Sequence, residues 1–282
     1  MTLARLDDVL HEARSAGRGV GAFNVIQLEH AHALVAAAEA TGLPVVLQIS
    51  ENAVRYHGSV LGIGSGTKAL AAASSATCIL HLDHATDPEL VKQAVDLGFT
   101  SVMFDGSQLP DEQNRDLTAE VTARCHEAGV SVEAELGEVG GKDGVHAPGV
   151  RTDPDDAAAF VADTGVDALA VAVGSSHAMT ERTASLDLDL VARLRDAVPV
   201  PLVLHGSSGV PDEEIARGVQ AGLTKVNIAT HLNVVFTGEV RRVLAEQESL
   251  VDTRKYLGPA RDALRDEAAR LLRLLASPPP VE

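Results

Sequence analysis

Two adjacent polar residues, Asp83 and His84, close an apolar run that begins at Ala76 and ends at Leu82; Pro88 and a helical pattern follow. The stretch reads as a buried strand whose C-terminal end delivers polar groups to a site. An imidazole beside a carboxylate can divide the work, one group holding a metal ion while the other moves a proton. The same pair could also be a strand-end Asp that caps the next helix with a surface His beside it. Which reading holds depends on what else reaches that place.

Other apolar runs end in the same manner. Strand candidates lie at 19–25, 44–50, 76–82, 100–104, 130–136, 168–173, 200–204 and 223–228. Helical patterns at 27–41, 67–75, 88–97, 112–128, 187–197, 211–221 and 231–248 separate and follow them, and Asp153-Pro154 opens another in the favoured order of cap then proline. A short helix is expected within 3–16, a Gly-rich loop at 58–66, a longer Gly-rich loop at 137–152 and a charged tail helix at 259–275. Eight strands, each followed by a helix, are the arithmetic of an α/β chain folded as a (β/α)8 TIM barrel. A doubly wound sheet would more often place a Gly-rich turn after its first strand, where this chain has Asn24-Val25-Ile26. Residues 1–282 are therefore expected to form a single barrel domain, with 251–276 as a C-terminal extension and 277–282 frayed.

Composition narrows the partners. The chain has 282 residues, 45% of them hydrophobic but only 2% aromatic, so its core must be built from Val, Leu, Ile and Ala. That suits parallel strands covered on both faces. A formal net charge of −17 argues against nucleic acid or an anionic membrane as partner. It also means that an anionic substrate must be held by local donors against the global field. No apolar run approaches the roughly 20 residues of a membrane span. Residues 1–7 carry acids without an apolar segment, so no signal peptide is expected. Cys78 and Cys125 have no paired spacing and read as thiols in a reducing cytoplasm.

In such a barrel, chemistry gathers at the C-terminal ends of the strands. Those ends read Asn24, Ser50, Asp83 with His84, Asp105, Glu135, His177, His205, and Asn227 with Thr230. Three histidines and a glutamate on one rim make a ligand set for a catalytic zinc ion, and imidazole also suits cobalt, iron or nickel. Taken singly, each histidine could instead cap a strand or helix. Two further stretches have the form of anion cradles: His205-Gly206-Ser207-Ser208-Gly209 after strand seven, and Asn227-Ile228-Ala229-Thr230 after strand eight. Main-chain N–H groups at those two turns are the usual phosphate site of a barrel.

These motifs together resemble the class II, metal-dependent ketose-bisphosphate aldolases. The resemblance rests on Gly21-Ala22-Phe23-Asn24-Val25, His81-Leu82-Asp83-His84, Glu133-Ala134-Glu135-Leu136-Gly137 with Gly140-Gly141, Val203-Leu204-His205-Gly206-Ser207-Ser208-Gly209 and Lys225-Val226-Asn227-Ile228-Ala229-Thr230. It covers roughly 3–275, with the motifs in the family's order. It implies reversible cleavage of a ketose (bis)phosphate to dihydroxyacetone phosphate and an aldehyde. His84, His177 and His205 would hold Zn2+ (or Co2+), with Glu135 as a ligand in some metal positions. Asp83 would be the proton-transferring acid/base, with Ser50, Asn24 and Asn227 at the substrate. Gly206, Ser207, Ser208, Asn227, Ile228, Ala229 and Thr230 would hold the phosphate end, with a monovalent cation, Na+ or K+, nearby.

Three departures stand out. The loop Gly140-Gly141-Lys142-Asp143-Gly144 is one residue shorter than the family's pattern and lacks its Glu, so either Asp143 takes the C–H proton or the reaction differs. Ala178 follows His177 where the family usually has Gly, and would donate its N–H despite its Cβ. Thr253 replaces Pro in an Asp-Pro-Arg segment whose Arg, here Arg254, would reach the distal phosphate from a neighbouring subunit. A homo-oligomer, dimer or tetramer, is expected on that basis and from the tail helix. Two rival readings remain open: a metal-free aldolase that forms a Schiff base on Lys225, and a metal-binding phosphosugar barrel without turnover.

Overall fold

Eight short apolar runs pair in chain order until the last closes on the first. In the computed structural model, which describes residues 3–136, 151–175 and 181–276, the strands are β1 Val20–Asn24, β2 Val45–Ser50, β3 Cys78–Ala85, β4 Ser101–Phe104, β5 Ser131–Glu135, β6 Ala168–Ala170, β7 Leu202–Leu204 and β8 Leu223–Ile228. All neighbours are parallel and β8 pairs with β1, so the sheet is a closed barrel. Around it lie α1 Leu6–Ser15, α2 Leu28–Thr41, α3 Glu51–His57, α4 Val60–Ala73, α5 Pro88–Leu97, α6 Asp111–Glu127, α7 Pro154–Thr164, α8 Leu188–Ala197, α9 Asp212–Ala221, α10 Thr230–Glu246 and α11 Arg254–Ala276. No helix among the described residues is long and apolar enough to cross a membrane.

Strand alternation sorts the side chains into two cores. Leu47, Ile49, Leu80, Leu82, Val102, Val132, Leu204 and Val226 pack outward against the helices. Val20, Ala22, Val46, Ile79, Ala168, Ala170 and Val203 pack inward around Leu6, Leu10 and Ala13 of α1, which plugs the barrel beneath the strand starts. Asp7 of α1 is tied there to Ser131 Oγ at 2.6 Å and to Arg5 at 2.7 Å. Against the pull of burial, those partners lower the Asp7 carboxyl to about 2. Above this floor the interior turns polar. Val46, Ile79 and Ser131 give way one layer up to Gln48, His81 and Glu133, then at the rim to Ser50, Asp83 and Glu135.

Several expectations are corrected. The stretch 58–66 is not a loop. Gly58 ends α3 in the left-handed conformation (φ +75°), and Ser59 caps α4 by accepting from Leu61 N. The glycines inside α4 serve close packing: a Cβ at Gly64 would come within 2.8 Å of Leu97 Cδ2, and one at Gly66 within 2.7 Å of Leu28 Cδ2. β3 runs on past Leu82 to Ala85. β6 stops at Ala170, and β7 starts at Leu202, after a proline that has no N–H to offer the ladder. The tail helix starts at Arg254, five residues early, because Asp252 accepts from Arg254 N (3.1 Å) and opens the first turn. Pro259 then sits inside it. The two cysteines are buried and free, and burial pushes both thiols up to about 11.

The floor and the rim should be separable. Leu10→Ala removes a fully buried side chain from the floor and should cost about 2–5 kcal/mol in urea unfolding. Metal and substrate affinity of the folded protein should stay at parent values, because the cavity opens at the opposite end of the barrel.

Candidate active site

Asp83 and His84 both reach the rim because the strand breaks its own alternation. Asp83 shares the inward face with Ile79 and His81, so a regular strand would turn His84 outward into the helices. The pairing of β3 with β4 shifts register between Leu82 and Ala85, and His84 takes φ +51°. Among the described residues it is the one non-glycine with positive φ. A non-glycine residue is uncommon there, histidine being one of the types that adopt it, and the surroundings hold the bulge in place. They do so on two sides. His84 Nδ1 lies 2.7 Å from Asp105 Oδ2, and Asp105 is itself fixed by Ser107 Oγ at 2.6 Å. Just beyond the bulge, Thr86 N donates to Glu51 Oε2 at 2.6 Å, and Thr86 Oγ1 to the same oxygen at 3.0 Å. Glu51 is the first residue of α3, and its neighbour Ser50 caps that helix by accepting from Ala53 N. The ends of β2 and β3 are thus clamped together, with Ser50 in register with Asp83.

His205 follows β7 and is fully buried between two carboxylates. Nε2 is 2.9 Å from Glu133 Oε1, and Nδ1 is 3.3 Å from Glu135 Oε2. Glu133 and Glu135 are two apart on β5, so both point inward, one above the other. The lower one also takes Lys225 Nζ at 2.7 Å. His81 sits beside them, with Nδ1 2.8 Å from Ser101 Oγ and Nε2 4.0 Å from Glu133 Oε2. Burial pushes the His81 ring down to about 3, with help from Lys225, so it stays neutral. Burial also pulls His205 down, but hydrogen bonds to Glu133 and Glu135 overcome it and raise the ring to about 9. Glu133 is held far below the usual carboxylate range: burial raises it, and Lys225 leads the charges that outweigh burial. Asp83 is likewise lowered, burial being outweighed by His84, Lys225, His205 and His81.

The donor atoms fit a divalent ion. Ligand atoms of Asp83, His84 and His205 lie within 4.8 Å of one another, as do those of His84, Asp105 and Glu135. The His84 and His205 rings stand edge to face, 4.7 Å apart. His205 Nδ1 faces Glu135, where two carboxylates already favour positive charge on the ring. An ion there would replace that proton. His177, Ala178 and Asp143 lie outside the described residues.

The two turns next to this cluster are pinned to each other. Gly206 is left-handed (φ +65°) and lets the chain turn sharply into a short 3-10 turn, Ser207–Gly209. Ser207 Oγ donates to Asn227 O, and Ser208 Oγ accepts from His231 N at 3.2 Å. Both hydroxyls therefore bind the turn after β7 to the turn after β8, and the main-chain N–H groups remain as the natural anion donors. Thr230 opens the 17-residue helix α10, whose N-terminus adds to that field. The Ile228 side chain packs in the outer core, so only its main chain and that of Ala229 can serve a ligand. Asn227 Nδ2 lies 3.5 Å from Asp83 Oδ1, and Gln48 Nε2 donates to Asn24 Oδ1 at 2.6 Å. Arg254 is 88% exposed and paired with Asp252. Lys225 lies a layer below the rim, locked to Glu133.

Sequence reading noted Asp105 as a strand end without a role, and missed Glu51, Glu133 and the pairing of Lys225. Glu133 was legible in principle, since Glu-x-Glu on a strand places both carboxylates on one face.

Comparison with known proteins agrees with this geometry. The family model for class-II fructose-bisphosphate aldolases matches residues 4–278. The fructose-bisphosphate aldolase of Geobacillus stearothermophilus is 41% identical over 269 residues, covering 94% of each chain. That of Giardia intestinalis is 39% identical over 292 residues, covering 94% of this chain and 90% of its own. The crystal structure of the YdjI aldolase from Escherichia coli K12 superposes with a TM-score of 0.85 at 31% identity, covering 98% of both chains.

The clamp on the bulge gives a test. Glu51→Ala leaves Thr86 N without its buried partner and should cost about 1–3 kcal/mol in chemical denaturation. It should also weaken divalent-metal binding, read by competition with a chromogenic chelator. Arg55→Ala, which removes only the exposed partner of Glu51, should stay within about 0.5 kcal/mol of the parent and bind metal normally.

Proposed function

The chain belongs to the class-II fructose-bisphosphate aldolase family, a class of carbon–carbon lyases, and from that premise we propose a zinc-dependent, reversible cleavage of a ketose (bis)phosphate into dihydroxyacetone phosphate and an aldehyde (phosphate). The observation that carries this reading is the convergence of Asp83, His84 and His205 within 4.8 Å, beside the joined turns after β7 and β8. His84 and His205, with His177 and Glu135, would hold the ion, Zn2+ or alternatively Co2+. When bound, it would supply the Lewis-acid pull on the ketone oxygen that aldol cleavage requires.

The residues divide the remaining work. Asp83, kept as a carboxylate by the surrounding cations, takes the C4 hydroxyl proton as the C3–C4 bond breaks, and returns it to the aldehyde oxygen in the reverse direction. Asn227 orients it by donating to Oδ1. Ser50 and Asn24 meet the substrate's hydroxyls. Main-chain N–H groups from Gly206 to Ser208 and from Asn227 to Thr230 hold the phosphate, with a monovalent cation beside it. Such donors suit a chain of net charge −17, since they add no side-chain charge. Asp143 is our candidate for the C–H proton in condensation, and Ala178 N–H for a further phosphate contact. The Schiff-base alternative loses its support, because Lys225 is buried against Glu133 and the family is the metal-dependent one.

We further propose that the protein works as a homo-oligomer of single-domain subunits, in the cytoplasm. Arg254 supports the first part. It is exposed and presents a planar fork suited to two phosphate oxygens. It would serve a neighbour's distal phosphate.

Two measurements test the reading. Asp83→Ala should keep one divalent ion per chain and lose about 10²–10⁴-fold in ketose-bisphosphate cleavage, whereas exhaustive chelation of the parent should abolish turnover. Full activity after chelation would refute the metal role. Arg254→Ala should raise KM for a bisphosphate by about 10–150-fold, the worth of a charge-assisted pair, with little change for dihydroxyacetone phosphate. Mixing it with Asp83→Ala subunits should restore part of the activity. An unchanged KM for every bisphosphate would mean that another residue reads the second phosphate, or that there is only one.

A further inference from the structure

Below the rim, the barrel interior holds an ion pair that the proposed chemistry does not use. Glu133, Lys225, His205 and His81 are all 0% exposed. Layers of this kind in a barrel are ordinarily filled by branched apolar side chains. A buried pair of charges is a poor route to stability, since well-packed apolar residues of the same volume often do as well or better. The pair must therefore be read by what it touches. Glu133 is bidentate across two strands: Oε2 takes Lys225 Nζ at 2.7 Å and Oε1 takes His205 Nε2 at 2.9 Å. An ionised carboxylate can only accept, so Nε2 must be the N–H of that ring. The other nitrogen, Nδ1, is then the ligand atom, and it already faces Glu135 and the edge of His84.

We propose that Glu133 and Lys225 are a positioning pair for His205: Glu133 fixes its tautomer and aim from below, and Lys225 holds Glu133 in the orientation that does so. The proposal rests on the reading of His205 as a metal ligand. Lys225 has a defined part in it. With Oε2 clamped, the Glu133 carboxylate cannot rotate toward His81, whose Nε2 is 4.0 Å away and has no hydrogen-bond partner among the described residues. Its ammonium also balances the carboxylate, so the ring receives a hydrogen bond without an uncompensated charge beneath it. Such outer partners of a metal-bound imidazole are commonly worth 10–100-fold in metal affinity.

Metal binding and tautomer state are the readouts. Co2+ titration of the chelated parent comes first, and failure to bind overturns the metal reading together with this proposal. Given binding, Glu133→Met combined with Lys225→Met roughly keeps the volume of the layer while removing both charges and the acceptor for His205 Nε2–H. Its metal-free melting temperature should stay within a few degrees of the parent's. Its Co2+ affinity should still fall about 10–100-fold, with a shifted d–d absorption. A merely structural role would restore affinity along with stability, so a folded double variant with the parent's affinity and spectrum overturns the proposal and leaves the metal reading standing. Nitrogen-15 shifts of His205 in the zinc-loaded parent decide the matter without any variant. The proposal expects a protonated Nε2 and a metal-bound Nδ1, and the opposite assignment overturns it.

Discussion

A β-strand turns successive side chains to opposite faces, yet this site needs Asp83 and His84 on the same one. The rest of the rim is arranged around how the chain meets that demand. A register shift in β3 and a left-handed backbone at His84 swing the imidazole inward, and the chain accepts local strain to do it. The strain is contained by neighbours rather than by His84 itself. Asp105 from the next strand grips its ring, and Glu51 from the preceding strand–helix junction grips the main chain beyond it. Three consecutive strand ends are thereby locked into one geometry. The proposed acid/base group and the proposed metal ligand can be sequence neighbours on one face only because of this.

The interior follows a second rule, a change of polarity along the barrel axis. The floor is apolar and plugged by α1, so it can carry much of the stability without touching chemistry. Above it every inward position of β3 and β5 is ionisable: His81 and Asp83, then Glu133 and Glu135. Such a column survives burial only if its charges are matched, and they are. Lys225 answers Glu133, while His205 sits between Glu133 and Glu135. The net negative charge of the whole chain and the cationic bias felt by Asp83 are thus compatible, because the groups that set Asp83, namely His84, Lys225, His205 and His81, are its neighbours in the barrel interior.

Much of this was legible in the sequence, and the failures have physical causes. The barrel and the strand-end list followed from apolar runs alternating with helical patterns and from helix caps such as Asp153-Pro154, which opens α7. The Gly-rich 58–66 misled because glycine's preference for turns was weighed alone. Tertiary packing against Leu97 and Leu28 overrides it and makes a helix of that stretch. The tail helix was expected only from 259, whereas it begins at Arg254 and carries Pro259 inside it. The bulge at His84 had no local sequence signal at all. Asp105 and Glu51 were invisible as partners because their roles depend on contacts between strands, and Lys225 was weighed as a nucleophile because a sequence does not say what a lysine faces.

The central claim is that histidines from separate strand ends converge on one divalent ion. X-ray absorption at the zinc edge of the reconstituted protein addresses it most directly. The account predicts a nitrogen/oxygen shell at about 2.0–2.1 Å with the multiple scattering of three imidazoles, those of His84, His177 and His205. A bound ion whose spectrum lacks imidazole scattering would contradict it.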